Sequence, residues 1–158
     1  MRLTFKQRFF SWFDSYDIYD DYGNVYFSVK GQLAWGHQFR IYNASGTEVG
    51  MVKQKILTLL PKFELYRGSQ SLGFLKKKLT LLHPVYSLEY NDWTVTGGIM
   101  EWNYDIVDRN GRAVATISKE LLHLTDTYNI DVVDENDALL VLMFVLAMDA
   151  EKCSRNNS

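Results

Sequence analysis

The 158-residue chain predicts a fold of the α+β class that is mainly β: a closed antiparallel barrel of about twelve strands enclosing a hydrophobic helix near the C-terminus. Three observations predict it. Apolar and polar residues alternate in short runs from Leu3 to Val133, which is the period of strands with one buried face. One type of turn recurs between those runs. After the last strand comes a segment apolar on every face, which must be enclosed on all sides.

The alternating runs fall at 3–5, 6–10, 16–20, 24–30, 37–43, 48–56, 62–67, 71–79, 85–90, 93–98, 102–108, 112–119 and 126–133, the first two counting as separate runs or as one strand. Asp20-Asp21-Tyr22-Gly23, Asn43-Ala44-Ser45-Gly46 and Asp108-Arg109-Asn110-Gly111 each begin with Asp or Asn and end in Gly three residues on. The first side chain can accept backbone hydrogen bonds and the glycine can take positive φ, so each reads as a type I turn closing a hairpin. The repetition extends into the strands. Residues from Phe39 onward align without a gap with those from Tyr104 onward, pairing Val49 with Val114, Phe63 with Tyr128 and Leu65 with Ile130. Tyr16-Asp17-Ile18-Tyr19-Asp20 is a third copy and Leu72-Gly73-Phe74-Leu75-Lys76 a fourth, so a meander of like hairpins is expected.

Asp134-Glu135-Asn136-Asp137 supplies helix N-cap chemistry, and Ala138 to Met148 follows without a charge. A flat sheet covers one side of such a helix, and a closed barrel covers all of them. Twelve strands tilted by about 40° close at a radius of about 12 Å. A helix with its side chains plus half a packed layer needs about 10–11 Å. The helix is therefore placed at about 136–150, within one domain spanning 1–150, and residues 151–158 read as a disordered polar tail. As a helix the apolar run would cover only about half of a bilayer core, so it is not a membrane span.

Composition narrows the function. Seventeen basic against nineteen acidic residues leave a charge of −2, which argues against a general nucleic-acid coat. Two prolines, 23% charged residues and 47% hydrophobic residues exclude a disordered chain. Cys153 is the one cysteine, so no internal disulfide is expected, and Met1 to Phe10 alternates and carries Lys6 and Arg8 where an export signal would be apolar. The expected location is the cytoplasm.

Val49-Gly50-Met51-Val52-Lys53-Gln54-Lys55, Leu59-Leu60-Pro61-Lys62-Phe63-Glu64-Leu65-Tyr66, Trp102-Asn103-Tyr104-Asp105-Ile106 and Ala115-Thr116-Ile117-Ser118-Lys119, together with the C-terminal apolar helix, resemble the LURP-one-related family in its short bacterial form. The resemblance runs over essentially residues 3–150. It implies a twelve-stranded barrel threaded by a hydrophobic helix, as in the related tubby C-terminal domains and phospholipid scramblases. Those relatives imply contact with phosphoinositides or bilayers, but no lipid-binding residue is carried onto a position here. The segment Leu122-His123-Leu124-Thr125-Asp126 departs from relatives that often have an aromatic and a glycine there.

Charge is unevenly spread. Seven basic residues (Lys53, Lys55, Lys62, Arg67, Lys76, Lys77, Lys78) and one acidic residue (Glu64) lie between Met51 and Leu82, whereas seven acidic and no basic residues lie between Asp126 and Glu151. Lys53, Lys55, Lys76, Lys77 and Lys78 are the candidate anion-binding residues, on the outside of adjacent hairpins, for a lipid headgroup or another phosphate-bearing ligand. The competing reading is a solvated outer face. Leu57-Thr58-Leu59-Leu60-Pro61 and Leu79-Thr80-Leu81-Leu82-His83-Pro84 do not alternate and read as rim loops, suited either to membrane contact or to packing over the barrel mouth.

Trp12, Trp35, Trp93 and Trp102, with Phe9, Phe10 and Phe13, read mainly as barrel lining. His37, His83 and His123 lack ligand spacing, no phosphate loop or nucleophile elbow occurs, and Asp149 is read as emerging into water. The expectation is a non-catalytic binding module with no cofactor or metal and no nucleic-acid partner. It meets anionic lipid, peripherally at the inner membrane face, or alternatively a protein partner through the acidic Asp126–Asp137 end or an aromatic patch.

Overall fold

The structure, a computed structural model, describes residues 1–7, 15–34, 36–79, 84–98, 103–121 and 126–156. Twelve strands run in chain order: β1 (Arg2–Gln7), β2 (Ser15–Tyr19), β3 (Val25–Ala34), β4 (Gly36–Asn43), β5 (Glu48–Gln54), β6 (Lys62–Arg67), β7 (Gln70–Leu79), β8 (Pro84–Leu88), β9 (Thr94–Gly98), β10 (Asn103–Val107), β11 (Ala113–Leu121) and β12 (Asp126–Val132). Each pairs antiparallel with the next, and β1 pairs with β12 from Arg2↔Asp131 to Gln7↔Asp126, which closes the barrel. A 3₁₀ turn, Glu135–Asp137, capped by the Asp134 carboxylate on the Asn136 N–H at 3.0 Å, leads into α1 (Ala138–Asn156). Among the described residues no helix is long and apolar enough to cross a membrane.

The three recurring turns have one geometry. In each, the glycine N–H donates to the carbonyl of the first residue: Gly23 to Asp20 at 3.1 Å, and Gly46 to Asn43 and Gly111 to Asp108 at 2.9 Å. The first side chain also accepts from the N–H groups two and four residues on, as Asp108 does from Asn110 at 2.8 Å and Arg112 at 2.9 Å. A bulge follows each turn, opposite Ile18/Tyr19, Ile41/Tyr42 and Ile106/Val107. A type I turn completed by a left-handed glycine brings such a bulge with it, so turn and register repeat together.

The repeated strand residues point into the lumen. Phe39, Ile41, Val52, Phe63 and Leu65, and their counterparts Tyr104, Ile106, Ile117, Tyr128 and Ile130, are all buried. They enclose α1, on which every residue from Leu140 to Glu151 is buried. Gly50 lets β5 approach the helix, since a Cβ there would stand 2.1 Å from Met143 Cε and 3.3 Å from Leu139 Cδ1. Trp93 is core, as expected, at 5% exposure. Trp12, Trp35, Trp102, Phe9, Phe10, Phe13, His83 and His123 lie outside the described residues.

Two expectations about the end of α1 are corrected. The helix continues to Asn156, so the tail does not begin at residue 151. Asp149 does not emerge into water: it is 6% exposed, inside the lumen. Burial first, and then the Asp149 charge, push the Tyr16 and Tyr104 hydroxyls well above the ordinary tyrosine range. Glu151, 2% exposed, is held there by a cation from the barrel wall.

Candidate functional site

The strand ends of β5, β6 and β7 farthest from the repeated turns bring three of the five candidate lysines, Lys53, Lys55 and Lys76, together. Inward Val52, Phe63 and Leu75 place their neighbours Lys53, Lys62, Phe74 and Lys76 on the outer face. The register sets Lys53 opposite Glu64 and Lys62 opposite Lys76. Lys55, just past β5, stays in the ladder through its N–H, which donates to the Lys62 carbonyl at 2.9 Å.

The half-buried ring of Phe74 is the centre of this face. Lys62 Nζ stands 3.7 Å from its centroid, Lys76 Nζ 5.7 Å and Lys55 Nζ 6.0 Å, within or close to cation–π range. Two carboxylates share the cluster. Glu64 takes Lys55 Nζ at 2.6 Å and the Ser71 hydroxyl at 2.8 Å, while Glu89 pairs with Lys76. Burial alone would raise the Glu64 carboxyl, but hydrogen bonds from Lys55, Tyr66 and Ser71 and the Lys55 charge outweigh it and bring its pKa down to about 2. The hydrogen bond from Lys76, against partial burial, likewise lowers Glu89. Four lysines against two carboxylates leave a net positive face, and among the described residues no carboxylate lies within ion-pair distance of Lys53 or Lys62. A depression of about 310 Å³ beside it is lined by Lys76, Ser87, Glu89, Asp92 and Thr94.

The other two candidates stand apart from this surface. Lys77 is not on the outside: it points into the lumen, where Nζ meets Glu151 Oε1 at 2.8 Å, both side chains being 3% exposed. Strand alternation is the reason, because Lys77 shares the inward face with Leu75. The Lys78 backbone pairs with Val85, and its side chain lies outside the described residues. Lys62, which the candidate set lacked, takes the central place, and the hairpin register opposite Lys76 is the signal that would have found it.

The loop joining β5 to β6 continues this face beyond the barrel rim. Leu57 and Leu59 are fully exposed, at 100% and 101%, and Ile56 is 41% exposed. Leu57 has φ +60°, a conformation rare for non-glycine residues. The Thr58 hydroxyl donates to the Lys55 carbonyl at 3.2 Å, bracing the turn that holds the leucines outward.

The family model for LURP-one-related proteins matches residues 1–149. The chain belongs to the LURP-one-related family. A LURP-one-related chain of this length is similar to YxjI, an uncharacterized protein of Bacillus subtilis (strain 168), at 25% identity over 150 residues, 94% of this chain and 92% of that protein. It also resembles the X-ray structure of a protein from Arabidopsis thaliana with a TM-score of 0.57 and 17% identity, over 92% of this chain and 91% of that one. For this LURP-one-related chain the latter likeness is one of fold.

Proposed function

We propose that this protein is a non-catalytic binding module that meets anionic lipid or another phosphate-bearing ligand through the outer face of β5, β6 and β7. The observation that carries the reading is the convergence of Lys55, Lys62 and Lys76 on Phe74, with Lys53 beside them. Lys62 lies over an aromatic face and, among the described residues, in no ion pair, which leaves it able to take an anion without first breaking one. Lys55 and Lys76 are held in place by Glu64 and Glu89, so the face is preorganised. A lysine near an anionic surface contributes about 1 kcal/mol, so reversing two of them weakens binding by at least about tenfold.

Flotation with phosphatidylcholine vesicles, with and without phosphatidylserine, tests this, together with titration by inositol hexakisphosphate. Wild-type protein is expected to bind the anionic vesicles or the soluble polyanion, and Lys53→Glu/Lys62→Glu to lose that binding. Binding should weaken as salt screens the charges. Indifference of the wild type to both probes would refute the reading. A salt-resistant protein partner would point instead to a protein-interaction domain.

A further inference from the structure

We propose that the β5–β6 loop is a membrane wedge: Leu57 and Leu59 enter the acyl boundary of a bilayer while Lys53, Lys55 and Lys62 hold its anionic surface. The inference rests on the basic-face reading and narrows its ligand from any phosphate-bearing group to a lipid bilayer. Three features of the loop converge on it. First, both leucine side chains are wholly in water, and Ile56 partly so. Second, the loop is built to keep them there. Leu57 takes a left-handed backbone that its side chain disfavours, and the Thr58 hydroxyl and the Lys55 N–H close the turn beneath it. Third, cations flank the apolar tip on both sides in sequence, Lys53 and Lys55 before it and Lys62 after it. A convex apolar tip backed by a collar of ammonium groups is complementary to a surface apolar below and anionic above, which a bilayer presents. A soluble phosphate would use the collar and leave the tip in water.

The test attaches an environment-sensitive NBD fluorophore to Leu57→Cys in a Cys153→Ser background and adds vesicles of phosphatidylcholine alone or mixed with phosphatidylserine. On mixed vesicles the emission is expected to shift to the blue and intensify. The unlabelled Leu57→Gln/Leu59→Gln variant should lose at least about tenfold in affinity for these vesicles, because two leucines forfeit their transfer out of water. Its binding of inositol hexakisphosphate should equal that of the wild type. Unchanged vesicle affinity in the leucine variant, with loss in Lys53→Glu/Lys62→Glu, would overturn the wedge and leave the basic face standing. Wild-type binding of the hexakisphosphate but not of vesicles would do the same. Absence of binding to either probe would overturn both.

Discussion

Replacing Glu151 with leucine removes the partner of a lysine that has no route to water. Lys77 Nζ and Glu151 Oε1 are 2.8 Å apart, and each side chain is 3% exposed, so the ammonium would be left buried in the lumen without its carboxylate, beneath the Tyr86 ring, 5.6 Å away. Breaking such a pair from one side costs about 3–5 kcal/mol, whereas replacing both partners by apolar residues of similar size is about neutral or stabilising. Glu151→Leu and Lys77→Met should therefore each lose about 3–5 kcal/mol, and Lys77→Met/Glu151→Leu should recover most of it. For a domain of this size 1 kcal/mol moves Tm by about 2–4 °C, so each single variant should melt about 6–20 °C lower. Urea unfolding followed by tryptophan fluorescence, at constant m, measures all three variants. A single-variant loss below about 1 kcal/mol, or a double variant as unstable as the sum of the singles, would show that the pair does not anchor the helix to the wall.

Leu142 is fully buried on the helix face inside the barrel, and Leu142→Asp, with no partner for its charge, should abolish soluble folded protein as judged by expression and circular dichroism. Gly50→Ala forces Met143 Cε from a contact of 2.1 Å and crowds the Tyr66 carbonyl at 3.2 Å. It should cost about 1–3 kcal/mol in urea, with less than additive loss when combined with Met143→Ala. Glu64 titrates at about 2 in the folded protein against an ordinary 4.5, so its contribution is complete above 4.5 and is lost as pH falls toward 2. Lys55 is one-third exposed and solvent screens the pair, so the contribution is about 1–2 kcal/mol, and Glu64→Gln should flatten the stability profile over that interval.

The barrel was legible because its rules are local. Asp20, Asn43 and Asp108 each announce a turn by a side chain that accepts from its own backbone, and turn and bulge together fix the register for the strands that follow. The run from Ala138 to Met148 requires enclosure by composition alone. The ends of that run were not legible in the same way. Asp149 and Glu151 carry charge, which composition sends to water, but Glu151 lies three and seven residues past Met148 and Phe144 on the same helical stripe. Its burial depends on a cation from a strand far away in the chain. In Lys76-Lys77-Lys78 three like residues hide the alternation that Leu75 defines. Lys62 joins the site through pairing across a hairpin, a non-local relation that a count of basic residues does not contain.

Eleven of the twelve neighbouring strand pairs join consecutive strands, and the twelfth joins β1 to β12, whose Arg2 and Asp131 are 129 positions apart. During synthesis the hairpins can therefore form in turn, but β1 waits for a partner made long afterwards, and the helix that fills the lumen is made later still. Until then the inner face of the growing wall has nothing to pack against. Closure is a late, long-range event, slow by its topology, and the half-built sheet is exposed to aggregation in the meantime. By this topology the nascent chain stays open to aggregation for longer than a hairpin-rich fold would suggest, and loss of α1 would leave an unfinished wall rather than a hollow barrel.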